Sequence, residues 1–152
     1  MATVAVDFDG VIHTYDKGWQ DGSIYGDFMP GAVVGLTRLM QRSAVFVHTT
    51  RSARQVARWI EDKSGRGIEC TTRVPRDGFW NQRGYLLVTN RKLPAVAYID
   101  DRGIRFESWD QALAELAARE PHAAPLTGLD KVAEAVRRSR GGDAPVQFRG
   151  FA

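Results

Sequence analysis

Apolar residues along the chain fall into short unbroken runs separated by longer stretches of helical period. Runs at 3–8, 44–48, 85–89 and 93–99 carry almost no alternation. An unbroken run of about five apolar residues predicts a strand buried on both faces, as in a parallel sheet. Residues 68–74 read as a further, edge strand, and 85–89 also suits a hairpin arm. Between these runs, Val33, Val34, Leu36, Leu39 and Met40 line one face of a helix that starts after Pro30-Gly31. A second helix runs from a Ser52 cap through Val56, Trp59 and Ile60 to about Lys63, with Gly65 and Gly67 ending it. Helices are also predicted over 109–119 and 129–138. The stretch 11–30 is rich in glycine and aromatic residues without helical period, and reads as a loop or small hairpin over the carboxyl edge of the sheet. Alternating strands and helices predict a three-layer α/β/α Rossmann-like fold around a central parallel sheet. One domain over 1–140 is expected, followed by a flexible or loosely docked tail over 141–152.

Composition adds bounds. The 152 residues are 43% hydrophobic and 26% charged, ordinary values for a globular chain large enough for one core. No membrane-length apolar run and no secretory leader pattern is present, so a cytoplasmic protein without membrane association is expected. The single Cys70 suits a reducing compartment and reads as a small core or strand residue. The net charge of +3, with many arginines, is compatible with an anionic substrate and permits nucleic acid.

The first strand carries the chemistry. It runs Thr3-Val4-Ala5-Val6-Asp7-Phe8-Asp9-Gly10-Val11, ending in two acids one residue apart. Alternate residues of an extended segment share a face, so Asp7 and Asp9 can address one site. Like charges that close are costly unless a cation offsets them, which points to Mg²⁺ and phosphate. Two later runs also end in polar residues, Thr49-Thr50-Arg51 and Asp100-Asp101. In parallel sheets ligands bind at the carboxyl ends of the strands, where all three sets converge.

Taken together these residues resemble the haloacid dehalogenase-like (HAD) superfamily of phosphohydrolases. Asp7-Phe8-Asp9-Gly10-Val11 matches its first motif, Thr49 the hydroxyl ending the next core strand, Lys92 the upstream lysine, and Asp100-Asp101 the closing acidic pair. The resemblance covers about the first hundred residues, the span of a small domain core. It implies a Mg²⁺-dependent phosphomonoesterase in which Asp7 is the nucleophile and Asp9 the acid and base. The metal ligands implied are Asp7, the backbone carbonyl of Asp9, Asp100 and, directly or from behind, Asp101. Thr49, Lys92 and Arg51 are the implied phosphate contacts. Thr50 competes with Thr49, Arg91 stands beside Lys92, and Arg51 has an equal reading as a salt-bridge partner of the acids. His13 and His48 are not expected to bind Mg²⁺, which disfavours imidazole.

The stretches 11–30 and 51–92 leave no room for a substrate-selecting cap domain, so the chain resembles the capless group. An open site suits a large phosphate ester such as a nucleic-acid end, a small nucleotide or sugar phosphate, or closure by a second subunit. A catalytically weak module of the same fold, binding nucleic acid or a phosphorylated partner, is the competing expectation.

Overall fold

The computed structural model describes residues 2–119. They fall in two compact units, one ending at Gly103 and the other beginning at Ile104. The expected helix over 129–138 and the expected tail over 141–152 lie outside the described residues.

The first unit contains β1 (Thr3–Asp7), α1 (Ala32–Arg42), β2 (Ala44–His48), α2 (Ala53–Lys63), β3 (Glu69–Thr71), β4 (Tyr85–Thr89) and β5 (Ala97–Ile99). The five strands form one sheet in the order β3-β4-β2-β1-β5, and every pairing is parallel. This is the α/β Rossmann-like class predicted from the apolar runs, with β3 on the edge and no folded insertion between the strands. β5 is shorter than the predicted 93–99: Leu93 turns into the core and accepts a hydrogen bond on its carbonyl from Tyr98 Oη at 2.5 Å.

Alternation divides the core. Val4, Val6, Val45, Val47, Leu86 and Val88 face Leu36 of α1 and Val56 and Ile60 of α2, so both helices cover one face. On the other face Ala5, Phe46 and Leu87 pack with Trp80 and Leu93 from the connections between strands. Burial of each large side chain in such a core contributes about 1.5–3 kcal/mol. Thr3 Oγ1 donates to the Trp80 carbonyl at 2.6 Å, tying the 75–84 excursion to β1.

Glycines mark two of the helix ends. α1 starts behind Gly31, whose φ of +81° suits glycine, and Gly65 at φ +61° helps to end α2. Ser52 stands at the cap of α2 as predicted, but its side chain makes no capping hydrogen bond; its carbonyl accepts from Val56 N at 3.0 Å. Cys70 is half-buried in β3, and burial, with the Glu61 charge adding to it, pushes its thiol up to about 12. The second unit is described over 104–119 and holds α3 (Trp109–Arg119), at the predicted bounds. No helix among the described residues is long and apolar enough to cross a membrane.

Candidate functional site

Sheet register builds the site. Asp7, the last residue of β1, is level with His48 at the end of β2, which is level with Thr89 at the end of β4. Val6 is level with Ile99, so Asp100 follows β5 beside Asp7. Parallel strands end on one edge, which is where polar residues excluded from the strand interiors collect.

Asp7, Asp100 and Asp101 each offer a carboxylate oxygen, and these oxygens lie within 4.8 Å of one another. Asp7 is half-buried. Its pKa is pushed up to about 6, chiefly by burial; the Phe8 N–H, donating at 2.7 Å, pulls the other way, and the charges of Asp100, Asp101 and Asp9 push further up. Asp100 is oriented by the N–H groups of Arg102 and Gly103, which donate to its Oδ1 at 2.7 and 2.9 Å. Gly10 makes room for the last acid: at φ +84°, a Cβ there would lie 2.3 Å from Asp101 Oδ2. Only a residue without a side chain lets that carboxylate approach the turn after β1.

Asp9 is held differently. Its two oxygens accept from Arg51 Nε at 3.0 and 2.8 Å, and Oδ1 also accepts from His13 Nδ1 at 2.9 Å. His13 Nε2 accepts from Gly26 N at 3.0 Å, which leaves the ring proton on Nδ1, facing Asp9. The imidazole is fully buried, stacked on Phe8 at 5.3 Å with Tyr25 and Trp59 against it edge-on.

Arg51 joins this site to the 11–30 loop. Its Nη1 donates to the carbonyls of Gly22 and Ser23 at 2.9 and 3.3 Å, and its guanidinium lies 4.8 Å from the Trp19 ring centre and 5.8 Å from that of Tyr15. Arg51 is 2% exposed, so its charge is spent on Asp9 and the loop. Of the two sequence readings for this residue, the contacts are those of the salt bridge to the acids.

A cavity of about 250 Å³ opens at this edge, lined by Asp7, Asp9 and Asp100, by His48, Thr49 and Thr50, and by Tyr15, Trp19 and Arg102. Thr49 is buried, and its Oγ1 accepts from Arg51 N at 3.1 Å, leaving the hydroxyl proton to donate; Thr50 is exposed. Asp101 joins through the acidic cluster. Lys92 does not line this cavity: it is exposed, with Nζ 5.0 Å from the Tyr98 ring centre. A larger groove of about 650 Å³ between α1 and β5 contains none of the acids.

Two contributors carry no sequence signal of their own. His13 is four residues beyond Asp9 in a stretch without period, and only the loop's return past Gly26 completes its bonding. Asn90 Nδ2 donates at 2.6 Å to the carbonyls of both Thr49 and Arg51, fastening the end of β2 to the end of β4.

No protein-family model and no curated protein matches the chain. Among solved structures, a conserved protein from Bacteroides thetaiotaomicron is similar, with 26% identity, coverage of 80% of this chain and 93% of that one, and a TM-score of 0.46.

Proposed function

We propose that the chain is a capless HAD-like, Mg²⁺-dependent phosphomonoesterase. The observation that carries this reading is the meeting of Asp7 with Asp100 and Asp101, on one sheet edge with Asp9 and Thr49. The donor set fits a hard cation: the oxygens are carboxylates, they lie within 4.8 Å of one another, and Gly10 leaves room for the third acid. Asp7, Asp100, Asp101 and the backbone carbonyl of Asp9 would hold Mg²⁺. When bound, the ion neutralises the crowded acids and the anionic ester.

The chain's own residues supply the rest. Asp7 attacks phosphorus, the bond to the leaving oxygen breaks, and Asp9 gives that oxygen a proton. Water then attacks the aspartyl-phosphate, Asp9 takes the water's proton, and the bond between Asp7 and phosphorus breaks. Arg51 Nε and His13 Nδ1 donate to both Asp9 oxygens, so one of these bonds has to open before Asp9 carries the proton it gives and regains. The Thr49 hydroxyl donates to the phosphoryl oxygens. Lys92 adds a charge there only by leaving the Tyr98 ring.

Hydrolysis of an aryl phosphate tests the reading. Turnover is expected with Mg²⁺, to vanish on chelation, and to fall at least about 10³-fold in Asp7→Asn. Turnover that survives chelation or that substitution rejects it. A second reading, a binding module without turnover, draws on the three hydrogen bonds that already occupy the Asp9 carboxylate. Tight binding of phosphate esters with no hydrolysis under any divalent ion selects it.

A further inference from the structure

We infer that Trp19, braced by Arg51, is a stacking platform for the planar base of a phosphorylated nucleoside, either free or at the end of a nucleic acid. This rests on the phosphate-site reading and names the substrate class of that site. Trp19 lines the same cavity as Asp7, Thr49 and Asp100, yet the residue is 58% exposed. An aromatic side chain that merely staples a loop is covered by it. Trp80 is buried at 1%, and Tyr25 spends its hydroxyl on the loop backbone at Lys17 and Gly18. Trp19 is the large aromatic of the 11–30 loop whose ring is left most open beside the acids.

Its position is nevertheless fixed. The Arg51 guanidinium lies 4.8 Å from the ring centre and is itself held by Asp9, Gly22 and Ser23. Gly22 closes against the ring edge, since a Cβ there would lie 3.6 Å from Trp19 Cζ2. The same guanidinium faces Tyr15, which in turn has Arg102 5.4 Å from its ring centre. Arg51 Nη2 is buried without a hydrogen-bond partner, so the stacking on these rings, not a full set of bonds, sets that end of the group. A cavity of about 250 Å³ is below the roughly 300–1,000 Å³ that encloses a whole ligand of drug size. A phosphate and sugar occupy it, and the base lies outside, where the open indole stands. Base–aromatic stacking needs only a π-face, so all bases are accepted.

Calorimetric titration of the full chain with Mg²⁺ tests this, using Asp7→Asn to prevent turnover. The probes are adenosine 5′-monophosphate, ribose 5-phosphate, and an oligonucleotide with a terminal phosphate. The mononucleotide is expected to bind about 5- to 100-fold more tightly than the sugar phosphate. That ratio is expected to collapse toward one in Trp19→Ala and to persist in Trp19→Phe, which separates stacking from loop collapse. An oligonucleotide binding more tightly than the mononucleotide assigns the site to nucleic-acid ends; equal affinity assigns it to free nucleotides. Equal binding of mononucleotide and sugar phosphate, or a preference that survives Trp19→Ala, overturns the platform. A Trp19-dependent preference in a wild-type chain that hydrolyses nothing keeps the platform and removes the phosphatase; hydrolysis without preference does the reverse.

Discussion

A methyl group at position 10 would meet Asp101 Oδ2 at 2.3 Å, in a backbone conformation that side chains rarely adopt. Gly10→Ala is therefore expected to cost about 1–3 kcal/mol and to weaken Mg²⁺ binding by displacing Asp101. Thermal unfolding and a Mg²⁺ titration read the two effects; wild-type metal affinity in that variant removes the role given to the cradle. At this scale the acids were legible, because charge at the end of an apolar strand is anomalous wherever it occurs. His13 was not, since its meaning depends on Gly26 N–H, thirteen residues away, and on the Phe8 face beneath it. Gly26 itself admits no side chain: a Cβ would stand 2.6 Å from the Thr14 carbonyl and 2.8 Å from His13 Nε2.

Among the elements, the 11–30 loop departs furthest from its local sequence character. It has no regular structure beyond isolated bridges from His13 to Asp9 and Phe28, yet Arg51 at the end of β2 binds it at Gly22 and Ser23. One arginine thus joins a strand end, the Asp9 carboxylate and the loop. Arg51→Met removes the cation from a carboxylate that is mostly covered and leaves two carbonyls without their donor. The expected loss is about 2–4 kcal/mol, with faster amide hydrogen exchange across 13–26. Arg51→Lys should recover only part of it, because an ammonium cannot reproduce the planar fork between two rings. Unchanged exchange in the loop would mean that Arg51 does not anchor it. The three described helices, by contrast, lie where the sequence pattern predicted them, apart from the unused Ser52 side chain. Capping depends on a rotamer as well as on residue type.

The whole molecule carries a charge conflict. Asp7 titrates near 6 in the folded state against an ordinary 3.8, so between those values the folded chain holds a proton that the unfolded chain has released. Stability is therefore expected to be highest below about pH 4 for this group and to fall as pH rises through 4 to 6. A cation among Asp7, Asp100 and Asp101 binds the ionised form and reverses the trend. Mg²⁺ should raise the melting temperature at pH 7.5 and leave it nearly unchanged at pH 4.5, as scanning calorimetry would read. An equal Mg²⁺ effect at both values would detach the ion from these acids.

What the chain determined by itself was the set of elements and the acids that end them. Apolar period, glycine and strand-terminal charge act over a few residues, and they placed Asp7, Thr49 and Asp100 at strand ends without any knowledge of the fold. Which side chains then met was decided by contacts between residues far apart in the chain. Parallel register set Asp7 level with His48 and put Asp100 beside it. The loop's return gave Arg51 to Asp9 instead of leaving it open to a phosphate, and the connection before β5 left Lys92 over Tyr98. Those outcomes follow from satisfying buried charge and hydrogen-bonding groups in three dimensions, a requirement that no local pattern records.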